Sequence, residues 1–453
     1  MATSKEMTAG PALPLIFNFT LPLLFGNLLQ QTYSLVDAAI VGKFLGINAL
    51  ASVGASTSVV FLILGFCNGC CGGFGIPVAQ KFGARDYSTM RSYVSVSLQL
   101  AVVMSVVIAI LTSIYCADIL KMMRTPENIF EGAYAYLLVT FIGIPCTFFY
   151  NLLSSIIRAL GDSKTPFYFL VLATILNIIL DLFCILVLDW GVMGAAIATV
   201  FSQGVSALLC YIYMYRKFDI LRGTPKERKY QSKLAKTLLS IGVPMGLQFS
   251  ITAIGSIMLQ SANNALGTAC VAAFTSAMRI KMFFLCPLES LGMAMATFSG
   301  QNYGAGKIDR MKKSVRVCFC MDLATALTLS ALMYLFLGKF LLSLFTTDAE
   351  VLSIGVRIMQ IIVPAYAPFV FIEIFSGALR GAGNVLIPML LTCGGICVTR
   401  ILWIFFFVPS HRAVETIIFS YPGSWVLTAT LFILYFAFYT RRHWGRGATR
   451  DLK

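Results

Sequence analysis

A chain of 453 residues that is 58% hydrophobic and only 12% charged is not a soluble domain, in which about a quarter of residues are charged. The net charge of +15 suggests a nucleic-acid partner, but the basic residues punctuate long apolar runs and do not share one folded face. The runs reach roughly 20 residues or more, enough to cross about 30 Å of hydrocarbon. They read as helices, because a membrane barrel would show alternating segments of about ten residues.

Twelve spans are predicted, at 13–39, 49–80, 92–116, 131–157, 165–188, 192–215, 237–265, 270–300, 314–338, 351–378, 386–408 and 414–440. The first is too long and too polar for a cleaved leader. Within it, Pro22 removes a helix hydrogen bond and invites a bend. Gln30, Tyr33, Ser34 and Asp37 follow at i, i+3, i+4 and i+7, one face of a helix. Cys67, Cys70 and Cys71 in the second span have a metal-like spacing, but no second cluster or histidine accompanies them. All thirteen cysteines read as reduced packing residues.

In the fifth span, Thr174, Asn177 and Asp181 again share a face. An acid in mid-bilayer costs roughly 2.5–3.5 kcal/mol and is a functional hypothesis by default. Two helices that present carboxylates beside amide and hydroxyl oxygens suit Na⁺. If Asp37 and Asp181 approach each other, their repulsion would instead let one carry H⁺. The seventh span has a neutral stripe, Gln248, Thr252, Ser256 and Gln260. The eighth carries Arg279, Lys281 and Glu289, the tenth Glu373 and the eleventh Arg400. Lys281 and Glu289 are about 12 Å apart along a helix and do not pair directly. Glu289 and Glu373 either attract cationic substrates or neutralise nearby bases. Met282 and neighbouring Phe residues suit an adaptable apolar cavity.

Loops numbered alternately from a cytoplasmic N-terminus place most bases inside, including Lys81, Arg91, Lys312, Lys313 and Arg316. The segment 216–236, with eight basic residues, and the tail 441–453 also fall inside. This positive-inside bias predicts two cytoplasmic termini in a bacterial inner membrane, and it makes the basic excess topological; nucleic acid is not a partner.

Sliding the chain on itself by 221 or 222 residues reveals a repeat. Pro22 meets Pro244, Gln80-Lys81-Phe82-Gly83-Ala84 meets Gln301-Asn302-Tyr303-Gly304-Ala305, and Arg158-Ala159-Leu160-Gly161-Asp162 meets Arg380-Gly381-Ala382-Gly383-Asn384. Six spans per copy means both copies enter the membrane the same way. The predicted fold is therefore an all-α polytopic protein of twelve transmembrane helices in two six-helix lobes related by a parallel pseudo-twofold. Residues 1–215 form the N-lobe, 216–236 a cytoplasmic linker, 237–440 the C-lobe and 441–453 a cytoplasmic tail.

Pro22, Asp37, the Val41-Gly42 to Gly46 turn, the Gln301-Asn302-Tyr303-Gly304-Ala305-Gly306 loop and the paired Arg-x-x-Gly-(Asp/Asn)…Pro segments resemble the multidrug and toxic compound extrusion (MATE) family over nearly the whole chain. Residues 300–316 look most similar to the bacterial branch that includes DinF. The resemblance implies a V-shaped exporter that trades amphipathic or cationic drugs against H⁺ or Na⁺. It implies an N-lobe cation site at Asp37, Asn177, Asp181 and Thr199, with Asn151 lining the same lobe. At the C-half counterparts stand Leu259, Thr399 and Trp403, so the carboxyl pair is peculiar to the N-half. No phosphate loop, nucleophile elbow or zincin motif suggests an enzyme, and no cofactor beyond the coupling ion is expected. Amphipathic or cationic small molecules and membrane lipids are the expected partners of a monomer. The alternative is a flippase for a lipid-linked saccharide or another amphipathic lipid precursor.

Overall fold

The computed structural model describes residues 6–411 and 413–444, and every regular element among them is helical. Lys5, Arg412 and the 445–453 part of the predicted tail lie outside the described residues. Eleven helices are long and apolar enough to cross a membrane, and one bent pair supplies a twelfth. In chain order these are α1 Ala12–Leu45, α2 Ile47–Gly83, α3 Tyr87–Ile114, α4 (Glu127–Ile142 with Ile144–Ala159), α5 Lys164–Leu186 and α6 Gly191–Lys217. They continue with α7 Ser232–Asn264, α8 Thr268–Gly304, α9 Ile308–Ser343, α10 Ala349–Gly381, α11 Leu386–Phe406 and α12 Val414–His443.

Most helices overrun the apolar runs at one end or both, whereas α3, α5 and α11 stop two residues short at their C-terminal ends. The fourth span differs in kind: it bends by 47° at Gly143. Pro145, in the first turn of the second arm, has no N–H to return to the preceding turn, so the ladder breaks there. Pro22, by contrast, lies within an unbroken α1.

Two compact units emerge. Unit 1 takes in Leu21–Ser250, and unit 2 takes in Met7–Thr20 and everything described from Ile251 onward. The units therefore part inside α1, beside Pro22, and inside α7, shortly after Pro244, whereas the sequence reading divides the chain at 216–236. The first half of α7 belongs with α2.

The reason is a pair of small-residue ridges. A Cβ on Gly73 would stand 2.6 Å from Gly242 Cα, and one on Gly69 would stand 2.6 Å from the Met245 carbonyl oxygen. Gly69-x-x-x-Gly73 thus crosses Gly242-x-x-x-Gly246 with backbones almost touching, the packing that associates helices where lipid offers no hydrophobic drive. Unit 2 uses the same device between α8 and α10, where a Cβ on Gly377 would meet the Gly292 carbonyl oxygen at 2.4 Å. The family-like loop at 301–310 also anchors the N-terminal segment of unit 2. Gln301 Oε1 accepts from Met7 N–H at 2.8 Å, and Lys307 Nζ donates to the Thr8 carbonyl at 2.8 Å.

The repeat is visible in the backbone. Gly161 (φ +88°) and Gly383 (φ +90°) end α4 and α10 in left-handed conformations. Each closes with the same two bonds, Asp162 N–H to Ile157 O with Gly161 N–H to Arg158 O, and Asn384 N–H to Leu379 O with Gly383 N–H to Arg380 O. Asp162 Oδ1 then accepts from Lys164 and Thr165 N–H at the start of α5. The Arg-x-x-Gly-(Asp/Asn) signature is therefore a helix-stop device.

Within unit 1, the linker is pinned by Glu227, which takes a two-pronged contact from Arg91 (2.7 and 2.9 Å) and bonds from Ser88 Oγ and Thr224 N–H. Hydrogen bonding from Arg91, reinforced by Ser88 and Thr224, pulls its carboxyl down to about 2. Its contribution to stability is therefore complete above the ordinary glutamate range and is lost as pH falls from about 4.5 toward 2. Glu227→Gln is expected to speed tryptic cleavage at Arg222–Lys229 severalfold at neutral pH, read by timed digestion. Gly73→Val is expected to cost about 1–3 kcal/mol or abolish folding, because backbone and not a mobile side chain occupies the space. A thermal melt in detergent reads this out.

Candidate functional site

Unit 1 brings together residues from α1, α4, α5 and α6. Asp37 and Asp181 are buried, at 8% and 1% exposure, and their carboxyls are close enough to act on each other electrostatically. No lysine, arginine or histidine among the described residues forms an ion pair with either. Asp37 Oδ1, both Asp181 oxygens and Asn177 Oδ1 are buried without a donor among the described residues. The donors nearby are spent on one another: Asn177 Nδ2 donates to Thr199 Oγ1 at 3.2 Å, and the Tyr33 and Thr199 hydroxyls share a bond of 2.9 Å. Tyr33 and Tyr136 flank both carboxyls.

Beside this group, Gln30, Tyr33, Thr174, Asn177, Thr199 and Gln203 line a cavity of about 30 Å³. That is room for water or a small cation, not for a drug-sized molecule. Of the residues that carry these four acceptor oxygens, Asn177 lines the cavity, and the acids lie beyond its lining.

Of the other candidates on these helices, Ser34 is exposed and donates to the Gln30 carbonyl at 3.1 Å. Asn151 is half-buried on the second arm of α4 and does not line the cavity. Gln248, in the first half of α7, is half-buried.

The equivalent place in unit 2 is apolar. Leu259 is fully buried, and Trp403 donates its indole N–H to the Thr416 carbonyl at 2.7 Å while stacking on Phe407. The bases there are held by aromatic rings. Lys281 Nζ lies 4.4 Å from the Tyr421 ring centre and the Arg400 guanidinium 4.0 Å from it, and Arg400 Nε donates to Ser424 Oγ at 3.1 Å. Glu289 and Glu373 form no ion pair with these bases among the described residues. Glu289 and Met282 are exposed, whereas Glu373 is half-buried against α8, where a Cβ on Gly292 would meet its Oε2 at 2.7 Å.

Sequence reasoning missed four polar residues. Tyr136, Ser202 and Gln203 complete the surroundings of the unit 1 site. Asp322 in α9 is fully buried, with both oxygens lacking a donor and Glu373 as its electrostatic neighbour. Asp322 carried the signal that singled out Asp37, an acid in mid-span.

The shared hydroxyl supports a direct test. Thr199→Val is expected to lower the thermal midpoint, and Tyr33→Phe to cost less in that background than alone. The double-mutant cycle should return a coupling of about 0.5–1.5 kcal/mol.

A family model described as MatE matches residues 22–183 and again 244–406, so the two halves answer to one pattern. The probable multidrug resistance protein YoeA of Bacillus subtilis is 30% identical over 97% of each chain. The probable multidrug resistance protein NorM of Thermotoga maritima is 26% identical over 85% of this chain and 83% of its own. Among solved structures, a MOP superfamily transporter from Pyrococcus furiosus superposes with a TM-score of 0.88 at 24% identity, covering 100% of this chain and 99% of the other.

Proposed function

The chain belongs to the MatE family, a family of secondary transporters and not enzymes, and we propose that it exports amphipathic or cationic small molecules against an inward flow of H⁺ or Na⁺. The observation that carries this reading is the Asp37–Asp181 pair, buried together without a base. Two carboxylates in that state repel each other and forgo water, so the resting site takes up a cation. Asp37 and Asp181 would hold the charge. Asn177 Oδ1 would contribute a neutral oxygen, and Thr199 and Tyr33 would keep Asn177 aimed. The names of YoeA and NorM, which speak of multidrug resistance, support drug-like cargo.

Electrical driving force is adequate for this task. One charge moving through 100 mV releases about 2.3 kcal/mol, enough for a cargo gradient on the order of fiftyfold. The positive-inside distribution supports a bacterial inner-membrane location with both termini cytoplasmic.

Ethidium efflux from everted vesicles, under separate H⁺ and Na⁺ gradients, tests the reading. One gradient is expected to drive efflux in wild type, and Asp37→Asn or Asp181→Asn to reduce it on the order of tenfold or more. The effective gradient names the ion. Unchanged efflux in both variants would remove the pair from the mechanism. Folded wild type that moves no dye under either gradient would bring forward the flippase for an amphipathic lipid precursor.

A further inference from the structure

Unit 2 has a second cavity that the transport reading does not use. It measures about 580 Å³, within the range of about 300–1,000 Å³ typical of ligand sites, and lies among α9, α10 and α12 where α9 begins and α10 and α12 end. Its apolar wall is aromatic. Phe375 stacks on Phe436 with ring centres 4.3 Å apart and planes 5° apart, and Phe319 meets Phe371 at 4.7 Å. Its polar end presents cations and donors: Lys312, Arg316, Arg441 and the indole of Trp444.

Those donors are poorly answered from within the protein. Arg316 and Arg441 are exposed and form no ion pair among the described residues. Lys312 reaches the Trp444 carbonyl and, at 3.7 Å, the almost fully exposed Asp309. Trp444 is 1% exposed, yet its Nε1–H has no acceptor among the described residues. A buried, unpartnered donor beside two free guanidinium groups calls for an acceptor-rich anion. The adjoining aromatic trough calls for an acyl chain. A cationic drug would be repelled by the same residues, and a purely polar anion would leave the trough unfilled.

We propose that this crevice is a binding site for one anionic phospholipid, its phosphate held by Arg316, Arg441 and the Trp444 indole and an acyl chain laid along Phe319, Phe375 and Phe436. The leaflet is the cytoplasmic one if the topology proposed above holds, but the site itself needs only its own residues.

The test is a thermal-melt titration of the purified full chain in detergent with phosphatidylglycerol or phosphatidylcholine. Phosphatidylglycerol is expected to raise the melting temperature saturably and phosphatidylcholine to leave it nearly unchanged. Arg316→Gln/Arg441→Gln should shift half-saturation upward on the order of tenfold. Lys313→Gln/Arg442→Gln removes the same charge from neighbouring exposed positions outside the crevice and should change it by less than about twofold. Equal losses in the two double variants would mean diffuse attraction and overturn the site. Equal stabilisation by both lipids would overturn it as well, as would loss of the response on deleting 445–453, which would assign the binding to the tail. Because this readout involves no transport, it fails or succeeds independently of the antiport reading.

Discussion

A carboxylate held in the hydrocarbon layer with no base beside it is the constraint that shapes unit 1. Each such group costs a few kcal/mol to place, and two in contact cost more than their sum. The surrounding helices do not relieve that cost with donors. Asn177, Thr199 and Tyr33 bond to one another and leave Asn177 Oδ1 without a donor among the described residues. Under the proposed antiport the arrangement is satisfied by a small positive species from outside the chain, which would make ion uptake and local stability one property. Unit 2 meets the same solvent differently. Its half-buried Lys281 and buried Arg400 lie over Tyr421, where a ring quadrupole replaces part of the lost hydration, and its Leu259 and Trp403 fill the place the acids occupy in unit 1.

The two units hold themselves together by close approach of backbones. In lipid, a leucine gains little by touching another leucine, so helices associate where glycine removes the side chain from between them. The Gly69/Gly73 ridge against Gly242/Gly246 is the clearest instance, and Gly292 against Gly377 repeats the idea. Of the cysteines at 67, 70 and 71, Cys70 sits in that crossing, where a Cβ on Gly246 would meet its Sγ at 2.7 Å, whereas Cys71 turns to α4 and donates to the Phe148 carbonyl. All three are buried small residues packed toward different neighbours, which gives their metal-like spacing a packing explanation.

Much of this was legible in the sequence because lipid enforces few rules and enforces them strictly. All twelve spans could be placed from run length, and the polar face of α1 and that of α5 both lead to Asp37 and Asp181. Tyr136, Ser202 and Gln203 were not legible, since a single polar residue in an apolar helix has no periodicity to announce its direction. Asp322 needed no periodicity: it is an acid inside the predicted span 314–338 and was legible by the rule that singled out Asp37. The break at Gly143 could have been read from the proline two residues later. The parting of the units inside α1 and α7 could not, because it depends on which glycines meet across helices, and spacing within one helix leaves the partner unnamed.

The placement of Met7–Thr20 in unit 2, fixed by Gln301, Lys307 and Arg310, has a consequence for how the protein is made. The first turns of α1 leave the ribosome before any other span, yet the surface that receives them is completed only after Arg310 has been synthesised. At about 5–20 residues per second, that segment waits on the order of tens of seconds for its partner. Unit 1 likewise stays incomplete until the first half of α7 arrives. Insertion and final assembly are thus separated in time, and the first turns of an early helix wait for their partner while the chain is finished. A membrane chaperone that shields α1 during synthesis would act on the interval this topology creates.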